Sequence, residues 1–234
     1  MKWKLRSKSV YILICTIILL SGFVLILLPG KGIVYISIGT SLIAGGIISF
    51  LIFLYQNIQE TEQEKFDNIF TAGLDSVYPK RDLDRYDELI KKLSYCIDVT
   101  GYSLRGFFES FRDIVIEKLK RDSRIKVRIL VVDPDSVFSK EREKIEGHPE
   151  GTFKDSVQTV KSYFSKYSNN IEIRKINFQL PCMIFRIDNV MFIGPYLFQR
   201  PSKSTVTFEL NRNGWLFEMF EKEFDNLWSN SLNV

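Results

Sequence analysis

Two stretches near the N-terminus, residues 9–28 and 33–55, contain no Asp, Glu, Lys, Arg or His. Each matches the roughly 20 apolar residues that a helix needs to cross a hydrocarbon core of about 30 Å. Pro29-Gly30-Lys31-Gly32 lies between them, where Pro and Gly break a helix and a lysine marks water, so a turn joining two spans is predicted. Lys2, Lys4, Arg6 and Lys8 precede the first span, against Lys31 alone at the turn. That asymmetry places the N-terminus in the cytoplasm and, after two crossings, everything from Gln56 onward as well. A cleaved leader fits poorly, because the apolar run is too long, no Ala-x-Ala follows and a second span comes at once. The lipid bilayer is therefore the first expected partner.

The second span repeats a small residue at every fourth position, Ser37, Ser41, Gly45 and Ser49. Such a row allows close helix approach, and its partner is either the first span or the second span of another copy in a homodimer. Residues 56–74, with Glu60, Glu62, Glu64 and Lys65, read as a polar helical stalk that stops near Gly73 and Pro79. The net charge of +4 belongs to the membrane segment: residues 1–55 carry five basic and no acidic side chains, leaving 27 basic against 28 acidic beyond. That balance lacks the basic surface of a general nucleic-acid binder, and no nucleic-acid partner is expected. Three widely spaced cysteines, Cys15, Cys96 and Cys182, argue against disulfides and zinc.

From residue 75 to 234 helical and extended patterns alternate, which predicts one α/β domain with a mixed sheet flanked by helices. Leu83, Tyr86, Leu89, Ile90 and Leu93 share one helical face. Phe107, Phe108, Phe111, Ile114, Val115 and Leu119 form a second, and Phe153, Val157, Val160, Phe164 and Tyr167 a third. Residues 95–100 alternate as a short strand, and 125–132 is a continuous apolar run suited to a strand buried on both faces. Residues 141–146 read as a charged connection. Strands are predicted at 171–176, 183–187, 190–193 and 205–210, with Asp188-Asn189 turning the middle pair and a helix closing the chain from Gly214.

This order of elements, with Ile97-Asp-Val-Thr-Gly-Tyr-Ser103, Val127-Arg-Ile-Leu-Val-Val-Asp133-Pro134 and Phe185-Arg-Ile-Asp-Asn-Val-Met-Phe-Ile-Gly194, resembles one half of the phospholipase D superfamily over about residues 75–230. Active members carry His-x-Lys-x4-Asp, whose histidine attacks phosphorus while the lysine neutralises phosphoryl oxygens. With Asp188 as the motif's aspartate, Pro181 stands in the histidine's place and Met183 in the lysine's, and the usual Gly-Ser is Gly194-Pro195. Glu209 falls where the superfamily often has a supporting carboxylate. The resemblance thus implies a degenerate domain with no catalytic residue, no metal and no cofactor.

Ligand candidates are Ser103 and Arg105 after the first predicted strand, Arg186, Asp188 and Glu209 at the hairpin, and Tyr196 and Arg200 in the loop after it. Each has a plainer role open to it: a helix cap for Ser103, a cross-strand charge pair for Arg186 and Asp188, an interface for the loop. Asp133 and Asp135 read as a turn. The only histidine, His148, lies in a loop-like stretch far in sequence from the hairpin and reads as a surface residue. The layout, a domain behind a transmembrane hairpin, resembles membrane-acting effectors of bacterial signalling. It predicts a non-catalytic receptor for an anionic ligand or a partner; a phosphodiesterase with a relocated nucleophile and a plain assembly module are the alternatives.

Overall fold

The structure, a computed structural model, describes residues 2–27 and 32–233, and side chains other than those of 2–9 and 59–65. The turn at Pro29-Gly30-Lys31, the side chains of Lys2, Lys4, Arg6 and Lys8 and those of Glu60, Glu62, Glu64 and Lys65 lie outside the described residues. The chain divides into two compact units, residues 1–67 and 68–234.

In the first unit α1 (Lys2–Leu27) and α2 (Ile33–Ala72) contain segments, Val10–Leu27 and Ile33–Ile58, long and apolar enough to cross a membrane. Tyr11 stacks on Phe53 with ring centres 5.0 Å apart, Leu19 covers Gly46, and Gly22 faces Gly39 and Ile43. Positions rising along α1 meet positions falling along α2, which is a helical hairpin. Glycine makes the seam close: a Cβ on Gly22 would stand 2.9 Å from the Gly39 carbonyl oxygen, and one on Gly39 2.8 Å from that of Gly22. At about 100° per residue, Ser37, Ser41 and Gly45 fall on the side of α2 away from residues 39, 43 and 46. Ser37, Ser41 and Gly45 are exposed and Ser49 half-buried, and a Cβ on Gly45 would meet nothing within 4 Å. Helix α1 therefore packs on Gly39 and Gly46 rather than on the serine row.

Within the second unit Gly73 ends α2 at φ +76°, a conformation that penalises a Cβ. Its N–H donates to the Phe70 carbonyl at 2.9 Å. Strand β1 (Leu74–Tyr78) follows at once, antiparallel to β7 (Thr207–Asn211), in place of the expected end of a stalk. Helix α3 (Leu83–Lys91) is capped by Asp82, whose side chain accepts from Arg85 N. Then come β2 (Cys96–Gly101), α4 (Arg105–Arg121), β3 (Lys126–Val132), α5 (Val137–Ile145), α6 (Thr152–Phe164), β4 (Ile171–Ile176), β5 (Cys182–Ile187) and β6 (Val190–Pro195). After β7, α7 (Trp215–Ser229) and a two-residue β8 (Leu232–Asn233) close the chain.

The strands form one mixed sheet in the order β1-β7-β6-β5-β2-β3-β4-β8. β2, β3 and β4 are parallel, as the intervening helices require, and the other pairings are antiparallel. One face packs Ile97, Val99, Val127, Ile129, Phe185 and Phe192 against Tyr86 and Ile90 of α3, Phe107, Phe111 and Val115 of α4 and Val157 and Phe164 of α6. The other packs Leu130, Val132, Ile184 and Ile193 against Phe217, Phe224 and Trp228 of α7. Successive residues of β5 thus serve opposite cores, because strand side chains alternate across the sheet.

The stretch read as a charged connection is helix α5, and its buried side chains are polar. Arg142 donates to Glu146 at 2.7 Å and to the carbonyls of Leu197 and Arg200 at 3.0 and 2.7 Å, so it holds the loop after β6. Glu143 accepts from the backbone N–H groups of Gly151 and Phe153 at 2.9 and 2.6 Å, and so caps α6 from outside.

Burial also decides the thiol chemistry. It pushes Cys96 up to about 12, helped by the Asp98 carboxylate, and Cys182 up to about 11. Since the thiolate is the reactive form, alkylation of both at pH 8 should run at least ~100-fold slower in the folded protein than in denaturant. Peptide mapping after iodoacetamide checks this; equal labelling of Cys182 in both states would contradict the burial.

Candidate functional site

A cavity of about 60 Å³ opens where β2 ends and α4 begins, on the α3/α4 face of the sheet. Its lining includes Arg81, Gly101, Ser103, Arg105, Met183 and Tyr196. Leu104, the residue before α4, sits at φ 52°, a left-handed conformation that costs a non-glycine residue about 1–3 kcal/mol. Its side chain lies over Gly101, where a Cβ would stand 2.7 Å from it. Strain of this kind gathers at ligand sites and switch regions.

Arg81, from the loop between β1 and α3, reaches Met183, the residue standing in the lysine's place. Its Nη2 lies 3.0 Å from Met183 Sδ and 3.3 Å from Ser202 Oγ, and its Nε is buried without a hydrogen-bond partner. Among the described residues no carboxylate comes within ion-pair distance of it. The carboxylate in the lining, Glu146, is paired with Arg142 at 2.7 Å. Tyr196 packs edge-on against Tyr102 at 5.0 Å, and the Arg142 guanidinium lies 5.0 Å from its ring centre. Burial raises the pKa of both tyrosines, so both hydroxyls stay protonated.

The sequence-derived candidates separate by position. Ser103, Arg105 and Tyr196 line the cavity. Glu209 lies on the same sheet face but is engaged: Arg85 Nη2 donates to it at 2.6 Å and the Tyr78 hydroxyl at 2.6 Å. Asp188 caps the far end of the sheet, accepting from the N–H groups of Ser94, Tyr95 and Cys96 at 2.7, 2.9 and 2.9 Å. Five residues of strand, about 17 Å, separate it from Met183. Arg186 points into the opposite core, with Glu221 at 2.7 Å and Asp98 at 3.4 Å, over the Phe217 ring. Asp98 in turn takes two hydrogen bonds from Arg128 at 2.6 and 2.8 Å. Arg200 is exposed and meets Arg142 only through its carbonyl. Pro181 is exposed and its carbonyl accepts from Tyr196 N at 3.0 Å.

His148 is partly exposed, its Nε2 3.6 Å from Glu146 Oε2, and no lysine is among the lining residues. Its neighbour Glu146 nonetheless reaches the cavity, a proximity that distance in sequence conceals. Asp133 accepts from Asp135 N at 3.1 Å, a turn, while Ser136 caps α5. Among the described residues no cluster of three or more His, Cys, Asp or Glu could hold a metal ion.

No family model and no curated protein matches the sequence. Solved structures do resemble the chain. Nuc from Salmonella typhimurium, a phospholipase D family member, is 15% identical with a TM-score of 0.44, over 68% of this chain and 97% of Nuc. Phosphatidylserine synthase from Haemophilus influenzae is 10% identical with a TM-score of 0.46, over 64% of this chain and 36% of the synthase. The second unit shares with them a mixed parallel and antiparallel sheet flanked by helices. At these identities the relationship is distant and concerns architecture alone. TrmBL2, an archaeal chromatin protein with a novel mode of DNA binding, is also similar: 11% identical, TM-score 0.46, over 83% of this chain and 71% of TrmBL2. This corrects the expectation of no nucleic-acid partner. A protein that binds DNA is among the structural neighbours, and a balanced total charge is no ground for excluding that class, since a local patch suffices.

Proposed function

We propose that the protein is a membrane-anchored receptor whose phospholipase D-like domain binds an anionic ligand without hydrolysing it and passes the event to the transmembrane hairpin. The observation that carries this reading is Arg81. At the place of the missing lysine the cavity persists, and a cation without a carboxylate partner projects into it beside Met183. Pro181 and Met183 have neither an attacking nitrogen nor a proton to donate, so phosphohistidine chemistry has no nucleophile there. Both the N-terminus and the domain face the cytoplasm in this reading, and two copies associate through the serine row of α2 and the domain. A ligand that favours one arrangement of that dimer repacks the spans to the extent of its differential affinity.

The test uses the full chain in liposomes. Bis(p-nitrophenyl) phosphate should be left intact, while a phosphorylated ligand should change inter-protomer crosslinking through α2 or the efflux of an entrapped dye. Hydrolysis abolished by His148→Ala would make the protein a phosphodiesterase with a relocated nucleophile. A stably co-purifying protein, with no response to any phosphorylated ligand, would make it an assembly module.

A further inference from the structure

We infer that the cavity takes one tetrahedral oxyanion, the terminal phosphate of a monoester, and that Arg81 supplies its counter-charge from a different element than the superfamily's lysine. The inference deepens the receptor reading and rests on it only in treating the cavity as a ligand site.

The charge comes first. Arg81 is half-buried, its Nε is buried without a partner, and its side-chain acceptors are only a thioether and a hydroxyl, so its charge is left without a counter-ion. It is also placed against the first turn of α4, whose free N–H groups form the positive end of the helix. Gly106 allows this approach, since a Cβ there would stand 3.3 Å from Arg81 Nη1. An anion placed between a guanidinium and a helix N-terminus is attracted by both.

The donors then select the shape. Arg81 comes from the loop between β1 and α3, Ser202 from the segment between β6 and β7, and Ser103 and the start of α4 from the end of β2. Donors on three separate segments of one lining suit the several oxygens of a phosphate better than the two of a carboxylate. Size limits how much of the ligand can enter. A cavity of about 150 Å³ holds a benzene molecule, so one of about 60 Å³ admits a phosphate but no base or ring behind it. The floor is apolar, made by Val99, Phe107, Phe111 and Phe185, and offers nothing to the second ester arm of a diester. The rest of the ligand therefore leaves through the mouth, past Arg105.

The experiment titrates the full chain in phosphatidylcholine nanodiscs with inorganic phosphate, glycerol 3-phosphate, dimethyl phosphate and acetate, reading calorimetric binding and the thermal unfolding of the domain. Phosphate and glycerol 3-phosphate should bind saturably and raise the unfolding temperature; dimethyl phosphate and acetate should not. Arg81→Met should weaken phosphate binding at least tenfold while leaving the unfolding temperature without ligand unchanged or higher, which a merely structural arginine would not do. Arg81→Lys should restore part of the binding. Nanodiscs with phosphatidic acid identify the source: binding to them, displaced by phosphate, assigns a lipid headgroup, and binding of phosphate and glycerol 3-phosphate but not of these nanodiscs assigns a soluble ligand. The inference is overturned if neither phosphate nor phosphatidic acid binds, if Arg81→Met binds as well as the parent, or if dimethyl phosphate binds equally. Phosphate binding through Arg81 with no change in crosslinking or efflux would end the receptor reading and leave the site standing. An anion that drives those changes without engaging Arg81 would do the reverse.

Discussion

Gly214→Ala is expected to destabilise the second unit by about 3 kcal/mol, the upper end of overpacking costs. Gly214 itself sits at φ −104°, which alanine adopts freely, so conformation is not the cause. The cause is that a Cβ on Gly214 would run into the backbone of Ala72 and Gly73, and neither can step aside by changing rotamer. From the other side, a Cβ on Gly73 would stand 2.6 Å from Gly214 Cα and 2.9 Å from the Asn211 carbonyl oxygen. Asn211 N donates to Gly73 O at 2.9 Å, so the end of α2 and the β7–α7 turn are joined backbone to backbone. Denaturant unfolding followed by the fluorescence of Trp215 and Trp228 measures the loss. A Gly214→Ala protein as stable as its parent would mean that the two segments are not in contact.

Asp98→Ala is expected to cost about 3–5 kcal/mol, the usual penalty for removing one partner of a buried charge network. Asp98 is 2% exposed and answers both Arg128 and Arg186. Without it the two guanidinium groups face one another, each left with a single carboxylate nearer the surface, Asp225 at 2.8 Å and Glu221 at 2.7 Å. Arg128 also stacks over Phe224 at 4.7 Å, so the network anchors α7 to the sheet. Because it lies on the opposite face from Met183, Arg186→Ala should lower stability yet leave phosphate affinity within about twofold. An Arg186→Ala protein of full stability that no longer binds anions would restore Arg186 to the ligand site.

The sequence made visible whatever depends on apolar repetition. Phe107, Phe111 and Val115 announce α4 at helical spacing, and residues 127–132 announce a strand buried on both faces. Helix α5 escaped because its inward residues are Ser139, Arg142 and Glu143, the last two held by hydrogen bonds that no hydropathy pattern encodes. β1 escaped because five residues with alternate exposure are indistinguishable from a loop until β7 pairs with them. At the site, Ser103 and Arg105 were legible because ligands gather where strands of such sheets end. Arg81 was not, since Pro-Lys-Arg-Asp before a helix has the composition of an ordinary solvated turn. The misplacement of Arg186 was avoidable: it is three residues from Met183, and an odd separation along a strand puts two side chains on opposite faces.

The margins of the sheet bear on how copies of the chain can meet. On one side the terminal strand, β8, has two residues; on the other, β1 slips register between Leu74 and Ser76. Neither offers the long, regular ladder of free N–H and C=O groups that another chain needs to extend a sheet. Sheet edges of this kind protect the chain from zipping into fibres, so any contact between copies would have to grip side chains on helices and loops.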